Sequence, residues 1–342
     1  MKITMLGTSG SGKTVYMSAM AELFLNSSVD GYTLENRGSD FKSSTFVAKT
    51  IAKTNTLYTS GSFPSGTATS VLMPLELRYR GNSIIDIDWI DYRGEALNEL
   101  VTGVENEQTA EILATLLASD VILVFVDAAV LKECRNLSIA RANVGANTIL
   151  PLLNMVSKTK RLDIIFLLSK IDSSTIDIKK DFSALKTKIG QIYSHFFTDT
   201  NTDVSNYAVL AVGALGVGNV ETTHKWISNS QGGQQLTSRH AIKNYQDLEP
   251  VGVAASFARA LLKCSDSEIN NLNTEASKLA KELNRLKSNF GLIKNLLDLL
   301  FNNSRKREII FDLEQKILDS RRQILKLEPH KIRLEKIATG LK

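Results

Sequence analysis

Cysteine is nearly missing from this 342-residue chain. Cys134 and Cys264 are the only two, which excludes a disulfide scaffold and a four-cysteine zinc site. The four histidines, His195, His224, His240 and His330, are scattered without metal-ligand spacing. No apolar run approaches the ~18 residues that a membrane span requires. The opening MKITMLG has neither the apolar h-region nor the small-residue cleavage site of an export signal, so a cytoplasmic location is expected. A general excess of one charge is absent too. The net +5 lies in residues 265–342, where 16 Lys plus Arg face 11 Asp plus Glu; the rest carries 25 of each sign. A basic surplus confined to helical faces disfavours nucleic acid as a partner.

What is present is an alternation of short apolar runs and amphipathic stretches over residues 1–264. This is the pattern of an α/β domain with a mostly parallel sheet flanked by helices. Strands are expected at Lys2–Leu6, Val71–Tyr79, Ser83–Ile90, Val121–Asp127, Asp163–Leu168 and Tyr207–Val212. Gly81-Asn82 reads as the tight turn of an antiparallel hairpin. Helices are expected at Lys13–Phe24, Glu105–Ala118, Leu185–Phe197 and Val251–Leu262. Asn55–Ser70 and Ser228–Ser238, rich in Thr, Ser, Gly or Gln, read as mobile loops.

From residue 265 the pattern changes. Leu272, Ala276, Leu279, Leu283, Leu286, Phe290, Ile293, Leu297 and Leu300 alternate spacings of 4 and 3. Beyond Asn302-Asn303-Ser304 the rhythm resumes in Ile310, Leu313, Ile317, Ser320, Ile324, Leu327, Lys331 and Leu334. A 3.5-residue period sustained over several heptads is a coiled-coil seam. Residues 265–342 are therefore expected to form an antiparallel coiled-coil helical hairpin, about 50 Å long at 1.5 Å per residue. A projecting hairpin is preferred over one packed back on the first domain, and Pro329 is expected to kink or fray its second helix.

The strongest chemical signal is Gly7-Thr8-Ser9-Gly10-Ser11-Gly12-Lys13-Thr14. It fits G-x-x-x-x-G-K-[ST] between an expected strand and an expected helix. In such a loop the backbone N–H groups from Thr8 to Lys13 wrap a β-phosphate at the positive end of the helix. Lys13 would bridge the β- and γ-phosphates, and the Thr14 hydroxyl would ligate Mg2+. The pattern points to a nucleoside triphosphate.

Four further elements follow. Asp91-Tyr92-Arg93-Gly94 ends the 84–90 apolar run and matches D-x-x-G. Residues 118–128 form an apolar strand ending in Asp127. Leu168-Ser169-Lys170-Ile171-Asp172 is similar to N-K-x-D, and Val212-Gly213-Ala214-Leu215 is similar to a degenerate S-A-K element. Together they resemble a P-loop GTPase domain of the Ras-like and translation-factor class over roughly residues 1–262. The flavour is that of prokaryotic small-GTPase-like proteins with G-x-S-G-x-G-K-T and D-x-x-G-E, often linked to conflict or defence systems.

The resemblance implies a Mg-dependent switch that binds GTP and GDP and hydrolyses GTP slowly without a partner. Asp91 would hold Mg2+ through water, and the Gly94 N–H would meet the γ-phosphate. Asp172 would accept from the guanine ring N–H and amino group, with Lys170 along the base and the Ala214 N–H on the guanine carbonyl. Thr67 and Thr69 are the two candidates for the first-switch threonine on Mg2+. Glu95, where the class usually has a water-orienting Gln, is either catalytic or a surface carboxylate. Ser169 replaces Asn or Thr and is expected to lose one stabilising contact. The 77 residues from Thr14 to Asp91 imply an insertion in the first switch.

Other readings carry less. Ser230–Gln235 superficially resembles an ABC-type signature, but no apolar strand ending in Asp-Glu follows. A nucleotide kinase would need an arginine-bearing lid, which no segment supplies. An ATPase, and a nucleotide-gated scaffold with little turnover, stay as alternatives. Residues 265–342 are expected to engage a protein partner or a second copy. Leu296–Phe301 followed by Arg305-Lys306-Arg307 could also touch a membrane surface at the hairpin tip.

Overall fold

The computed structural model describes residues 1–37, 41–63, 71–91, 97, 99–100, 107–160, 162–198, 207–228, 234–246, 248–297 and 303–340. Residues 41–47, 71, 91, 107–108, 198, 234, 287–297 and 303–307 are described by backbone alone. The chain forms two compact units: Met1–Ala260 with Ile337–Lys342, and Leu261–Lys336.

The first unit is built on a mostly parallel sheet. Its strands are β1 (Lys2–Leu6), β2 (Tyr32–Asn36), β3 (Val71–Tyr79), β4 (Asn82–Asp91), β5 (Val121–Asp127), β6 (Asp163–Ser169) and β7 (Tyr207–Ala211). Their spatial order is β2-β3-β4-β1-β5-β6-β7. From β4 to β7 all neighbours are parallel, whereas β2, β3 and β4 pair antiparallel across the Gly81-Asn82 turn. Every residue of β5 is buried, because helices cover both faces and leave no polar side to alternate with.

The flanking helices are α1 (Lys13–Phe24), α2 (Phe41–Ser60), α3 (Glu107–Ala118), α4 (Ala128–Glu133), α5 (Leu137–Asn143), α6 (Ala146–Ser157), α7 (Ile178–Ile192) and α8 (Ser194–Thr198). Tyr16 of α1 is sealed against Trp89 and Phe125, and its hydroxyl meets Ser256 Oγ at 2.9 Å. Phe257 closes this cluster against Trp89 and Phe24. The residues that follow β7 thus return to brace the helix behind the glycine-rich loop.

Two expected loops are ordered elements instead. Residues 55–60 continue α2, where Thr54, Thr56 and Thr59 hydroxyls donate to carbonyls one turn back; 64–70 lie outside the described residues. Gln234–Ser238 belong to a second sheet, the hairpin of β8 (Val220–Ser228) and β9 (Gln234–Ile242); 229–233 lie outside the described residues. The helix expected at Leu185–Phe197 begins earlier and is divided at Tyr193, as α7 and α8.

The second unit lies within α9 (Val253–Leu297) and α10 (Asn303–Thr339). The expected Val251–Leu262 helix and the first hairpin helix are one continuous helix. Leu283 packs with Leu313 and Ile317, and Asp266 pairs with Lys331 at 2.5 Å. These pairings run in opposite directions, so the two helices form a closely packed antiparallel hairpin. Pro329 does not end α10, which continues to Thr339. Buried Leu327 and Leu334 on either side hold the turn, offsetting the hydrogen bond that proline removes. The buried position there is His330 rather than Lys331, whose ammonium turns to Asp266. The portion of the expected seam in 287–300 lies outside the described side chains.

Candidate nucleotide site

The site begins where β1 ends. Leu6 is followed by a loop that enters α1 at Gly12, with Gly10 at φ 76° and Gly12 at φ 97°. That region favours glycine, because a Cβ would crowd the carbonyl that follows. Gly7 is required for another reason: a Cβ there would stand 2.4 Å from Ser11 Oγ and 3.0 Å from Phe125 Cβ. The first turn of α1 carries no acid, so its N–H groups and dipole are left for an anion.

Lys13 is nearly buried and folds back over the loop, donating to Gly7 O at 2.5 Å and Thr8 O at 3.1 Å. A phosphate in the loop would replace these neutral acceptors with charged ones. Thr14 sits in the same turn of α1. On the neighbouring strand Asp91 lies opposite Met5, so the end of β4 reaches the start of the loop. The loop therefore fits a nucleotide phosphate. Thr67, Thr69, Arg93, Gly94 and Glu95 lie outside the described residues, as does the Asp91 side chain.

Beyond β5, the Ser169–Asp172 segment meets the loop. The Ser169 Oγ donates to Ser11 O at 2.7 Å and lies 3.2 Å from Val126 O. A short hydroxyl suffices because β6 delivers it directly beneath the loop. Lys170 adopts φ 60°, unusual for a side-chain-bearing residue and costly by about 1–2 kcal/mol. Its ammonium pairs with Asp127 at 2.6 Å and lies 3.1 Å from His240 Nε2. Asp127 also caps α4 by accepting from Val130 N.

Asp172 is buried, and its Oδ2 accepts from Leu215 N at 3.0 Å. Burial pushes its pKa up to about 6, against the opposing pull of backbone N–H groups, including that of Ala214, and of Lys170. The backbone N–H bonded to the Asp172 carboxylate is thus that of Leu215, next to Ala214. Val220 N donates to Asp172 O at 2.9 Å and Ser174 N to Val220 O at 2.7 Å, so the β8–β9 hairpin grows directly from this loop.

The hairpin reaches back to the phosphate loop. A cleft of about 610 Å³ is lined by Thr8, Ser9, Gly10 and Ser11, by Asp127 and Lys170, by residues around Asn143 and Gly145, and by Gln235, Leu236, Ser238 and His240. Asp172 and Ala214 do not line it. Leu236 N donates to Asn143 Oδ1 at 2.7 Å, which fixes the hairpin on α5. Burial and the adjacent Lys170 push the His240 pKa down to about 4, so the ring is neutral and Nε2 accepts from the lysine. Nδ1 then carries the proton toward Thr222 Oγ1, 3.1 Å away.

Sequence reasoning missed Asp127, His240 and Asn143 as site residues. An acid ending a strand before a helix was a usable sign for Asp127. His240, 70 residues from Lys170, had no local sign.

The family model described as Double-GTPase 2 matches residues 2–227. The chain belongs to the Double-GTPase 2 family. It is therefore a GTP-binding P-loop GTPase in class, and the loop at Gly7–Thr14 lies inside the matched region. Among solved structures, the chain is similar to one from the signal recognition particle receptor SRb-GTP/SRX complex of Chaetomium thermophilum. The identity is 17%, the match covers 64% of this chain and 92% of that one, and the TM-score is 0.36. No curated protein matches the chain. Among the described residues, no helix is long and apolar enough to cross a membrane.

Proposed function

We propose that the protein is a Mg-dependent switch that binds GTP and hydrolyses it, and that its C-terminal helices act as a coiled-coil assembly or partner-binding element. The observation that carries the reading is the bond from Ser169 Oγ to Ser11 O, which couples the base-reading segment to the phosphate loop. A nucleotide spanning the two would meet Lys13 at one end and Asp172 at the other.

Guanine presents a ring N–H and an amino group side by side, two donors that one carboxylate accepts together. Adenine presents a lone pair at that ring nitrogen, so it would face the buried Asp172 carboxylate with an acceptor and offer it no donor. Thr14, Asp91 and either Thr67 or Thr69 are the residues that would hold Mg2+, whose charge would offset that of the β- and γ-phosphates. Gly94 would donate to the γ-phosphate and Glu95 would orient the attacking water. Lys13 would hold both terminal phosphates in line. Turnover is expected to be slow until a partner adds charge at the γ-phosphate; in related chemistry an arginine contributes ~10³–10⁵ in rate.

The test is competition among GTP, ATP and xanthosine triphosphate for the wild type and Asp172→Asn. GTP should win on the wild type. The variant, with one donor in place of an acceptor, should weaken GTP and favour the xanthine nucleotide. A wild type that takes ATP as readily as GTP, with no change on substitution, would replace this reading with the ATPase one.

A further inference from the structure

The inner seam of α10 is buried in the hairpin, but a second apolar row runs along its other side. Phe311, Leu318, Leu325 and Ile332 recur every seven residues and are 61%, 43%, 66% and 63% exposed. Seven residues are nearly two turns, so the four stay on one face over ~31 Å. Single exposed leucines are ordinary, but a heptad row of four is an unpartnered contact face. Among the described residues, α9 has no large exposed apolar side chain.

The charges beside the row indicate what covers it. One flank reads Asp312, Asp319, Lys326, Arg333: two acids, then two bases, at the same seven-residue spacing. Turned end for end, that order is its own complement. A two-fold antiparallel pairing of α10 with α10 places Phe311 against Ile332 and Leu318 against Leu325. It also sets Asp312 against Arg333 and Asp319 against Lys326, and in such a pairing like flanks meet. The other flank sets Glu314 against Glu328 and Arg321 against its own mate, a like-charge cost that the apolar row and the first flank must exceed. Near the axis Arg322 approaches its symmetry mate, a like-charge contact that further weakens the pairing. The present pairs Lys316–Asp312 and Arg322–Asp319 are exposed and contribute little, so they are free to exchange.

We propose that this outer face of α10 is an interface for a second copy of the chain, paired antiparallel about a two-fold axis. The proposal rests on reading the hairpin as an assembly element and names its occupant. The row covers less than the ~800 Å² per partner of a standard interface, so the dimer should be weak and salt-sensitive.

The full-length protein is measured by sedimentation velocity at tens of micromolar, in low and high salt, with nucleotide binding followed on the same samples. The wild type should dimerise at low salt. Leu318→Ser/Leu325→Ser should be monomeric with unchanged helix content and unchanged nucleotide affinity, since both side chains are exposed. Asp319→Lys alone should weaken the dimer at least several-fold, and Asp319→Lys/Lys326→Asp should restore it. A parallel pair would set residue 319 near Arg321 of its mate, and the swap would not restore it. A monomeric wild type overturns both the interface and self-association. A dimer that survives Leu318→Ser/Leu325→Ser overturns this face and leaves self-association elsewhere. Failure of the charge swap to restore overturns the antiparallel geometry. The nucleotide reading is judged separately, by the binding measured on the same samples.

Discussion

At the nucleotide edge, the charged groups are buried or half-buried, and each is held by a particular partner: Lys170 by Asp127 and His240, Asp172 by the Leu215 N–H, Lys13 by two loop carbonyls. Among the described residues of the second unit the buried positions are Leu, Ile, one Cys, two Ser and one His, while the charges lie outside, paired three or four residues apart or, as Asp266 with Lys331, between the two helices. The first arrangement concentrates function in single atoms, because a buried charge that loses its partner is costly. The second spreads stability over many similar contacts, so no residue decides it alone. Substitutions should accordingly act as losses of binding in one region and as graded destabilisation in the other.

The sharpest break is Lys13→Ala. The ammonium is the only side-chain cation in the glycine loop, and charge-assisted bonds to two phosphates contribute about 1.5–3 kcal/mol each. Affinity for a fluorescent GTP analogue should fall at least ~100-fold, while melting of the free protein changes little. Unchanged affinity would show that phosphate binding is spread as diffusely as hairpin stability. Thr14→Ala should instead remove the Mg2+ dependence of binding and turnover.

Asp172→Asn comes next and should move binding and stability in opposite directions. GTP affinity should drop by about a hundredfold or more, because the amide sets a donor against one of the two guanine donors. The free protein should become more stable at neutral pH, by up to about 3 kcal/mol, since the wild-type carboxylate is ionised in a site that raises its pKa from 3.8 to about 6. A raised carboxylate pKa costs nothing below 3.8, where the group is protonated folded or unfolded. The cost grows as pH rises from there to about 6 and is then constant, so this slope should be present in the wild type and absent in the variant. GTP affinity of the wild type should weaken below about pH 6 as the free site protonates.

Much of this contrast was legible in the sequence, for different reasons on its two sides. The glycine loop shows itself because its chemistry needs particular residues at fixed spacing. The hairpin shows itself because packing needs only a period. What lay between was harder to read. β2, Tyr32–Asn36, is five residues of mixed polarity whose place is set by pairing with β3. Residues 128–157 hold three helices, two of them six and seven residues long, too short to display a period. Gln234–Ser238 has loop composition, yet β8 supplies backbone partners that composition cannot reveal. The Ser169 contact required knowing that β6 ends beneath the loop. Proximity of that kind belongs to the sheet order and to no local segment.

Leu283→Ala tests the distributed side. The residue is buried with Leu313 and Ile317, so truncation removes methyl groups from a small cluster and leaves a cavity. About 2 kcal/mol of hairpin stability should be lost, read as a lower melting temperature by circular dichroism. GTP affinity should not change. A fall in affinity would mean that the hairpin and the nucleotide site share one cooperative structure, and the contrast between them would fail.

The smallest expected effect lies at the boundary of the site. His240 is neutral, its Nε2 accepts from Lys170, and Asp127 already holds the same ammonium at 2.6 Å. His240→Ala removes one of two partners and leaves the ion pair, so Lys170 should be less fixed without being released. A bond of this kind contributes about 1 kcal/mol, which predicts roughly fivefold weaker GTP binding. His240→Gln keeps an acceptor on β9 and should recover most of the loss, whereas a purely steric role would leave Ala and Gln alike. The measurement is isothermal titration of the three proteins with GTP and GDP at pH 7, well above the His240 pKa of about 4. If all three bind equally, Lys170 is fixed by Asp127 alone, and the β8–β9 hairpin is a wall of the cleft with no part in holding the nucleotide.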